Sequence, residues 1–481
     1  MRQHECGALY CLNDVGDREG LATARHAKQR LMRKPRLQPL DERSNGCGLI
    51  ARRCVLRMQT KGSHGFGYYK PRTSFPPAPK QAEYLAVSIQ LSRRVQRVKP
   101  SPTMAATARA ARLKAEGRDI ISLTAGEPDF ATPVEAAEAG IAAIRDGATR
   151  YTDVGGTAEL KQAICDKFAA DNHLHYSRAQ ILVSCGAKQT LFNLCMAVLD
   201  PDDEVIIPAP YWVSYPDMVR LADATPVIVD TTIESSYKLT PQQLAAAITP
   251  ATRLLLINSP CNPTGSAYSR LEWQQLGEVL AAHPRVLIGT DDIYEKIWWA
   301  DEPFSTLAEV CPALYERTIT INGVSKSHAM TGWRIGYCGG PAEIITAMAT
   351  IQGQSTSNPS SVSQRAALAA LRGDQRCVAD MNAEYRRRHD FFIPALAALP
   401  GFECRRAEGS FYAFVRITGA LQRLGLPDDQ AFCDRLLEAE GLALVPGSGF
   451  GAPGHVRLSF ATSRAQLEAA LERLGRFLRS A

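Results

Sequence analysis

The stretch NGVSKSHAMTGWRIGY, residues 322–337, sets a lysine, Lys326, at the exit of the apolar run TITI (318–321) and an arginine, Arg334, eight residues further on. An amine at the end of a strand can condense with an aldehyde, and a guanidinium held close by can clamp a phosphate. Pyridoxal 5'-phosphate carries both groups, and the pair suits it. The same spacing also arises on solvated helices, so the rest of the chain has to supply the other contacts such a molecule needs.

Outward from this segment, from about Leu91 onward, short apolar runs alternate with helical patterns: ILVSCG, EVIIPAP, PVIVD, RLLLIN, RVLIGTD and TITING. That rhythm predicts an α/β fold, a mainly parallel sheet flanked by helices on both faces. Near the C-terminus Leu467, Ala470, Leu471, Leu474 and Leu478 share one helical face, and Ser463 with Gln466 makes a capping box at its start. This helix is expected in a smaller domain.

The first 86 residues differ in kind. Arg-rich pieces, the Gly-rich KGSHGFGYYK (61–70) and the Pro-rich KPRTSFPPAPK (70–80) lack the periodicity of a core, which predicts disorder. Three readings stand: a start assigned too early, an organelle transit peptide, or a regulatory arm. Glu5, Asp14, Asp17 and Glu19 count against a transit peptide. Residues 1–86 carry 11 Arg and 5 Lys against 7 acidic residues, so the formal charge of +6 for the whole chain belongs to this segment. The remainder is mildly acidic, which argues against a nucleic-acid surface. No apolar run reaches bilayer-spanning length. The 13 cysteines are scattered, with Cys6, Cys11, Cys47 and Cys54 at no common zinc spacing, so free thiols, no metal and a reducing, cytoplasmic setting are expected.

Further segments offer the missing contacts. VSCGAKQ (183–189) leads from a strand into a helix, so the amides of Gly186, Ala187 and Lys188 can face an anion. PAPYWVSYP (208–216) places Trp212 where an indole could lie on a ring. NSPCNPTG (258–265) sets Asn262 in a turn as an amide donor to a ring oxygen, and GTDDIYEK (289–296) ends a strand with Asp291, able to pair with a pyridine nitrogen. Asp292 is the rival for that pairing, and Tyr294 can donate to the ring oxygen. GHVRLSFATS (454–463) offers Arg457 as a fork for a carboxylate.

Ser325-Lys326 followed by Met330-Thr331-Gly332-Trp333-Arg334 resembles the cofactor-lysine signature of the class I aminotransferases, and the other segments follow in family order over residues 92–481. The resemblance implies a fold-type I pyridoxal-phosphate enzyme with Lys326 as catalytic base and Asp291, the first acid of its motif, on the ring nitrogen. It implies a large cofactor domain at 126–383, an N-terminal arm and part of the small domain at 87–125, and the small domain at 384–481. SRRVQRVKPSPT (92–103) and ISLTAGEPDFATP (121–133) are similar to the bacterial-type aspartate aminotransferase subgroup. By that likeness Gly126 approaches the substrate carboxylate, Lys188 reaches the distal carboxylate with Ser101 and Thr103, and Trp212, Asn262 and Arg457 also meet the substrate. Thr103 together with Lys188 implies prephenate as an additional substrate beside aspartate and 2-oxoglutarate. Tyr151, in RYTDVGG (150–156), matches a tyrosine that crosses to the phosphate of a partner subunit, which implies a homodimer; Ser357-Asn358-Pro359 resembles another segment near the partner's site. Two positions depart from the pattern: Gly323 replaces a phosphate-binding serine, for which Ser325 is the substitute, and Ala187 replaces a glycine. Rivals are an aromatic or branched-chain aminotransferase or a β-lyase on the same fold, and a DNA-binding regulator, which the intact Lys326, Asp291 and Arg457 argue against. His328 is read as a packing residue.

Overall fold

The computed structural model describes residues 89–479, and the expectations for the leader lie outside them. A helix Pro102–Ala115, capped by Ser101, leads to a two-residue strand β1 (Ile121–Ser122). Seven strands then build the main sheet: β2 (Ile181–Ser184), β3 (Glu204–Ala209), β4 (Thr225–Asp230), β5 (Thr252–Asn258), β6 (Leu287–Asp291), β7 (Thr318–Gly323) and β8 (Gly336–Gly339). Their order is β2-β8-β7-β6-β5-β3-β4. All neighbours are parallel except β8, which runs antiparallel to both β2 and β7.

The apolar runs become strands because both faces of the sheet are covered. Successive side chains of a strand point to opposite faces. Ile207 and Leu256 join Leu191, Leu194, Val219 and Met348 on one side, while Ile206, Leu255 and Ile257 join Trp273, Leu276 and Leu307 on the other. A strand buried on both faces therefore reads as a continuous hydrophobic run rather than an alternating one. Some of the helices between the strands begin at side-chain caps, such as Thr157 and the reciprocal Ser269–Glu272 box.

Four shorter strands, β9 (Glu403–Cys404), β10 (Tyr412–Arg416), β12 (Val445–Pro446) and β13 (His455–Ser459), form an antiparallel sheet in the order β12-β13-β10-β9, and β11 (Leu442–Ala443) pairs in parallel with β1. The helix Arg464–Arg479 covers this sheet with Leu467, Ala470, Leu474 and Leu478 buried and Leu471 partly so; Ser463 Oγ accepts from the Gln466 amide at 3.3 Å. The helix Arg376–Ala397 runs unbroken through residues 383 and 384, so the domain division expected there falls inside one helix. Its buried Tyr385, Phe392 and Leu396 join the core of the second sheet. No helix among the described residues is long and apolar enough to cross a membrane.

Candidate active site

The carboxyl ends of β5, β6 and β7 lie side by side at the middle of the main sheet, the edge where open α/β sheets bind ligands. β7 is buried throughout and ends at Gly323, and the single helical turn Val324–Ser327 that follows carries Lys326. The Lys326 amine donates to the carbonyl of Gly126. Removal of the amine from water pushes it down to about 8, against the pull of the Glu127 carboxylate and with help from Arg334 and Arg457. Ser325 is buried on the same turn. His328, also buried, sits between Ser327 Oγ and Gln375 Oε1.

One strand over, β6 ends in Asp291. Its Oδ2 accepts a 2.7 Å hydrogen bond from Tyr215 Oη, while its Oδ1 is buried with no partner. Burial raises this carboxyl to about 6, and the tyrosine, the Ile293 backbone N–H and Lys326 hold it from rising further. Asp292 is fully buried; burial, then Glu295 and Asp291, lift it well above the carboxylate range, against the opposing pull of the Thr306 hydroxyl. Its charged neighbours include Lys167 and Glu295, whereas those of Asp291 include Lys326, so the two adjacent acids serve different surroundings.

A continuous line of contacts leads from Asp291 to the second sheet. Its carbonyl accepts from Asn258 Nδ2 at 2.6 Å, and Asn258 Oδ1 accepts from the Asn262 amide at 2.7 Å, fixing the turn after β5. Arg457 on β13 donates from one terminal nitrogen to Asn262 Oδ1 at 3.0 Å and from the other to the Thr124 carbonyl at 2.8 Å, while its Nε is buried without a partner. The guanidinium lies 4.5 Å from the ring centre of Tyr412 and 5.0 Å from that of Phe450. Tyr412 and Tyr294 share a 3.0 Å hydroxyl contact, and both phenols are held neutral by burial. Gly126 closes the loop: a side-chain carbon there would stand 3.2 Å from Tyr412 Oη.

At the far side of the main sheet the helix Ala187–Val198 starts at Gly186, with no side-chain cap, so its first amides have no intrahelical acceptor. Arg334 leans over this turn. Its guanidinium donates to the carbonyls of Thr331 at 2.9 Å and Cys185 at 3.4 Å, and a Cβ on Gly186, whose φ is +86°, would lie 2.2 Å from it. Only glycine leaves this cradle open. Uncapped amides, a helix N-terminus and an arginine together fit a phosphate. The buried free oxygen of Asp291 fits a ring N–H, and the amine of Lys326 fits an aldehyde; the donor set is thus suited to a phosphorylated pyridine aldehyde.

Lys188 reaches from that helix to Trp212, its Nζ 4.9 Å from the ring, and burial followed by the Arg334 charge lowers its pKa. Trp212 meets Tyr215 edge to face at 5.4 Å. The Tyr211 amide donates to the Phe450 carbonyl at 3.0 Å, which ties the Trp212 loop to the segment beside Arg457. Pro102 packs on Gly449, so the Ser101–Thr103 arm adjoins the segment that leads through Phe450 toward Arg457. Ser101 Oγ is engaged as a helix cap, accepting from the Met104 amide at 3.5 Å, whereas Thr103 Oγ1 is buried and unpartnered. Tyr151 is 91 % exposed and so does not enter the site of its own chain. Sequence reading passed over Tyr215, Asn258, Tyr412 and the Thr124 carbonyl. Tyr215, Asn258 and Thr124 stood inside quoted motifs, but a tyrosine three residues after a tryptophan carries no signal of its partner, nor does a backbone carbonyl; Tyr412 belongs to no quoted motif.

The family model for aminotransferases of class I and II matches residues 118–474. The chain belongs to that family. This aminotransferase is 55% identical over 396 residues to the aspartate/prephenate aminotransferase of Nitrosomonas europaea, an alignment covering 81% of the chain and 100% of the relative. It is 48% identical over 390 residues to the aspartate aminotransferase of Geobacillus stearothermophilus, covering 81% and 99%. Among solved structures, the aspartate aminotransferase from Rhizobium meliloti superposes with a TM-score of 0.78 at 46% identity, covering 81% of this chain and 99% of that one. The Thermus thermophilus aspartate aminotransferase with maleate gives 0.76 at 43%, with the same coverage. The expected family and the mainly parallel fold both hold.

Proposed function

We propose that this aminotransferase works with pyridoxal 5'-phosphate, exchanges amino groups between aspartate and 2-oxoglutarate, and also converts prephenate to arogenate. The observation that carries the cofactor is the buried, unpartnered Oδ1 of Asp291 beside the low-pKa amine of Lys326. When bound, pyridoxal phosphate supplies an aldehyde for amines and a ring that accepts the electron pair left when the Cα proton departs. Gly186, Ala187 and Lys188 would offer backbone amides to its phosphate, with Arg334 and Ser325 alongside and Tyr151 from a second copy. Trp212 would lie on the ring, and Asn262 and Tyr294 would donate to the ring oxygen.

The chain's own work is then to hold and move protons. Asp291, kept charged above about pH 6, anchors a ring N–H through Oδ1. Lys326, with a pKa near 8, is in part a free amine at neutral pH; it would take the substrate Cα proton and deliver it to the former aldehyde carbon, on the other side of the amino nitrogen. Arg457 retains N–H groups beyond its two bonds and grips the α-carboxylate as a fork, with the Gly126 backbone nearby. Buried aromatic walls at Tyr412 and Phe450 strengthen that grip by excluding water.

The reading of a second carboxylate rests on Lys188, whose amine stands over the Trp212 ring, and on the buried, unpartnered hydroxyl of Thr103. The names of the relatives and the dicarboxylate maleate held by one of them support it. A homodimer in the cytoplasm completes the proposal, supported by the exposed Tyr151 and by nine free thiols among the described residues. The deciding experiment measures amino transfer from glutamate to oxaloacetate, prephenate and phenylpyruvate. High kcat/KM on the first two and little on the third is expected; preference for phenylpyruvate overturns the substrate assignment.

A further inference from the structure

Tyr215 opens the short helix Tyr215–Leu221 that follows the Trp212 turn, and it is 2 % exposed. Its ring packs in the apolar cluster with Met218, Val219 and Leu256. Packing alone would be served equally by phenylalanine, and a buried hydroxyl costs stability unless it is hydrogen-bonded. Here the hydroxyl has one partner, Asp291 Oδ2, at 2.7 Å. The Ile293 backbone N–H also favours the charged carboxylate, and the other side chains that act on Asp291 are Lys326, Cys261, Tyr294 and its chain neighbour Asp292. None of these other side chains hydrogen-bonds to either carboxylate oxygen, and Oδ1 stands open.

A carboxylate with one oxygen tied cannot rotate, so its second oxygen has a fixed direction. A phenol buried this deeply stays protonated, so toward Asp291 it acts only as a donor and favours the charged carboxylate. We propose that Tyr215 is a positioning residue acting through Asp291: its hydroxyl pins Oδ2 so that Oδ1 alone, negatively charged, faces an N–H of the bound ligand. The identity of that N–H as the pyridine nitrogen rests on the function proposed above. Without the hydroxyl, Asp291 takes up its own proton more readily and holds the ring proton less firmly. A ring that is less often positive makes the nitrogen bonded to it through Lys326 more basic.

The test compares the full-length chain with Y215F, D291N and the double variant. Each is loaded with pyridoxal phosphate and followed by the pH dependence of cofactor absorbance, by cofactor affinity of the apo form, and by kcat and KM for aspartate. Y215F keeps the ring and its packing. We expect its absorbance midpoint to move upward by at least about half a pH unit. Its kcat should fall about tenfold, the scale of one hydrogen bond to a charged group, with KM for aspartate changed far less. On the D291N background the same substitution should move neither quantity. A Y215F enzyme with the wild-type midpoint and kcat overturns the proposal, as does an equal effect of Y215F on both backgrounds. A wild-type chain that takes up no pyridoxal phosphate overturns the function reading itself, and the two failures are told apart by that first loading step.

Discussion

Burial acts in opposite senses on Lys326 and Asp291, lowering the amine to about 8 and raising the carboxyl to about 6, so near neutral pH each has a useful share of the form its task needs. Protonated lysine is no nucleophile. Uptake of pyridoxal phosphate by the apo chain should therefore quicken about tenfold per pH unit below 8 and level off above it, a profile readable by stopped-flow absorbance. Lys326→Ala should lower turnover by at least about 10²–10⁴-fold, the scale of a lost general base. Retained turnover in a steady-state assay would remove Lys326 from the mechanism. Arg457→Lys exchanges a fork for a point charge; KM for aspartate should rise by about one to two powers of ten, since charge-assisted bidentate pairs are the strong ones. These three residues were legible because each stands in a distinctive local string. Tyr215 was not, because its importance lies in an oxygen 76 positions away, a pairing created only when β3 and β6 enter the same sheet.

At the scale of elements, the strand ends were readable from the apolar runs, and so were the turns that follow them. Gly186 is where element and site coincide: it starts a helix, holds φ at +86°, and gives Arg334 the space it fills. Gly186→Ala should cost about 1 kcal/mol or more from backbone strain alone. It should also weaken cofactor phosphate affinity by displacing the guanidinium; a melting temperature and a cofactor titration measure the two separately. The reversed strand β8 was not legible, since a four-residue apolar run has no direction written in it. Nor was the continuity of the helix Arg376–Ala397: the boundary expected at 383/384 has Met381 before it and Tyr385 after it, and both pack in the same core.

At the scale of the molecule, Tyr151 offers a phenol that its own chain leaves 91 % exposed. If a second copy receives it, inactive Lys326→Ala and a Tyr151 variant weakened in cofactor binding should regain part of the activity when mixed and allowed to exchange subunits, because a hybrid contains one site with both residues intact. No recovery in a system shown to exchange would separate Tyr151 from the partner's site. Relatives matched over their whole length align to only 81% of the chain. A chain that starts at residue 87 should accordingly keep full kcat/KM.

The order β5-β6-β7 has a consequence for how this protein could change. Parallel neighbours stand about 4.8 Å apart, so the outer two of three strands are separated by about 10 Å. The turn bearing Asn262, the end bearing Asp291 and the turn bearing Lys326 are thus mounted on a gauge whose graduations are backbone hydrogen bonds, and no side-chain substitution resets it. Arg457, Thr103 and Trp212 are mounted elsewhere, on β13, on the N-terminal helix and on the loop after β3. Substrate range is free to drift through those outlying mounts while the gauge keeps the chemistry in register.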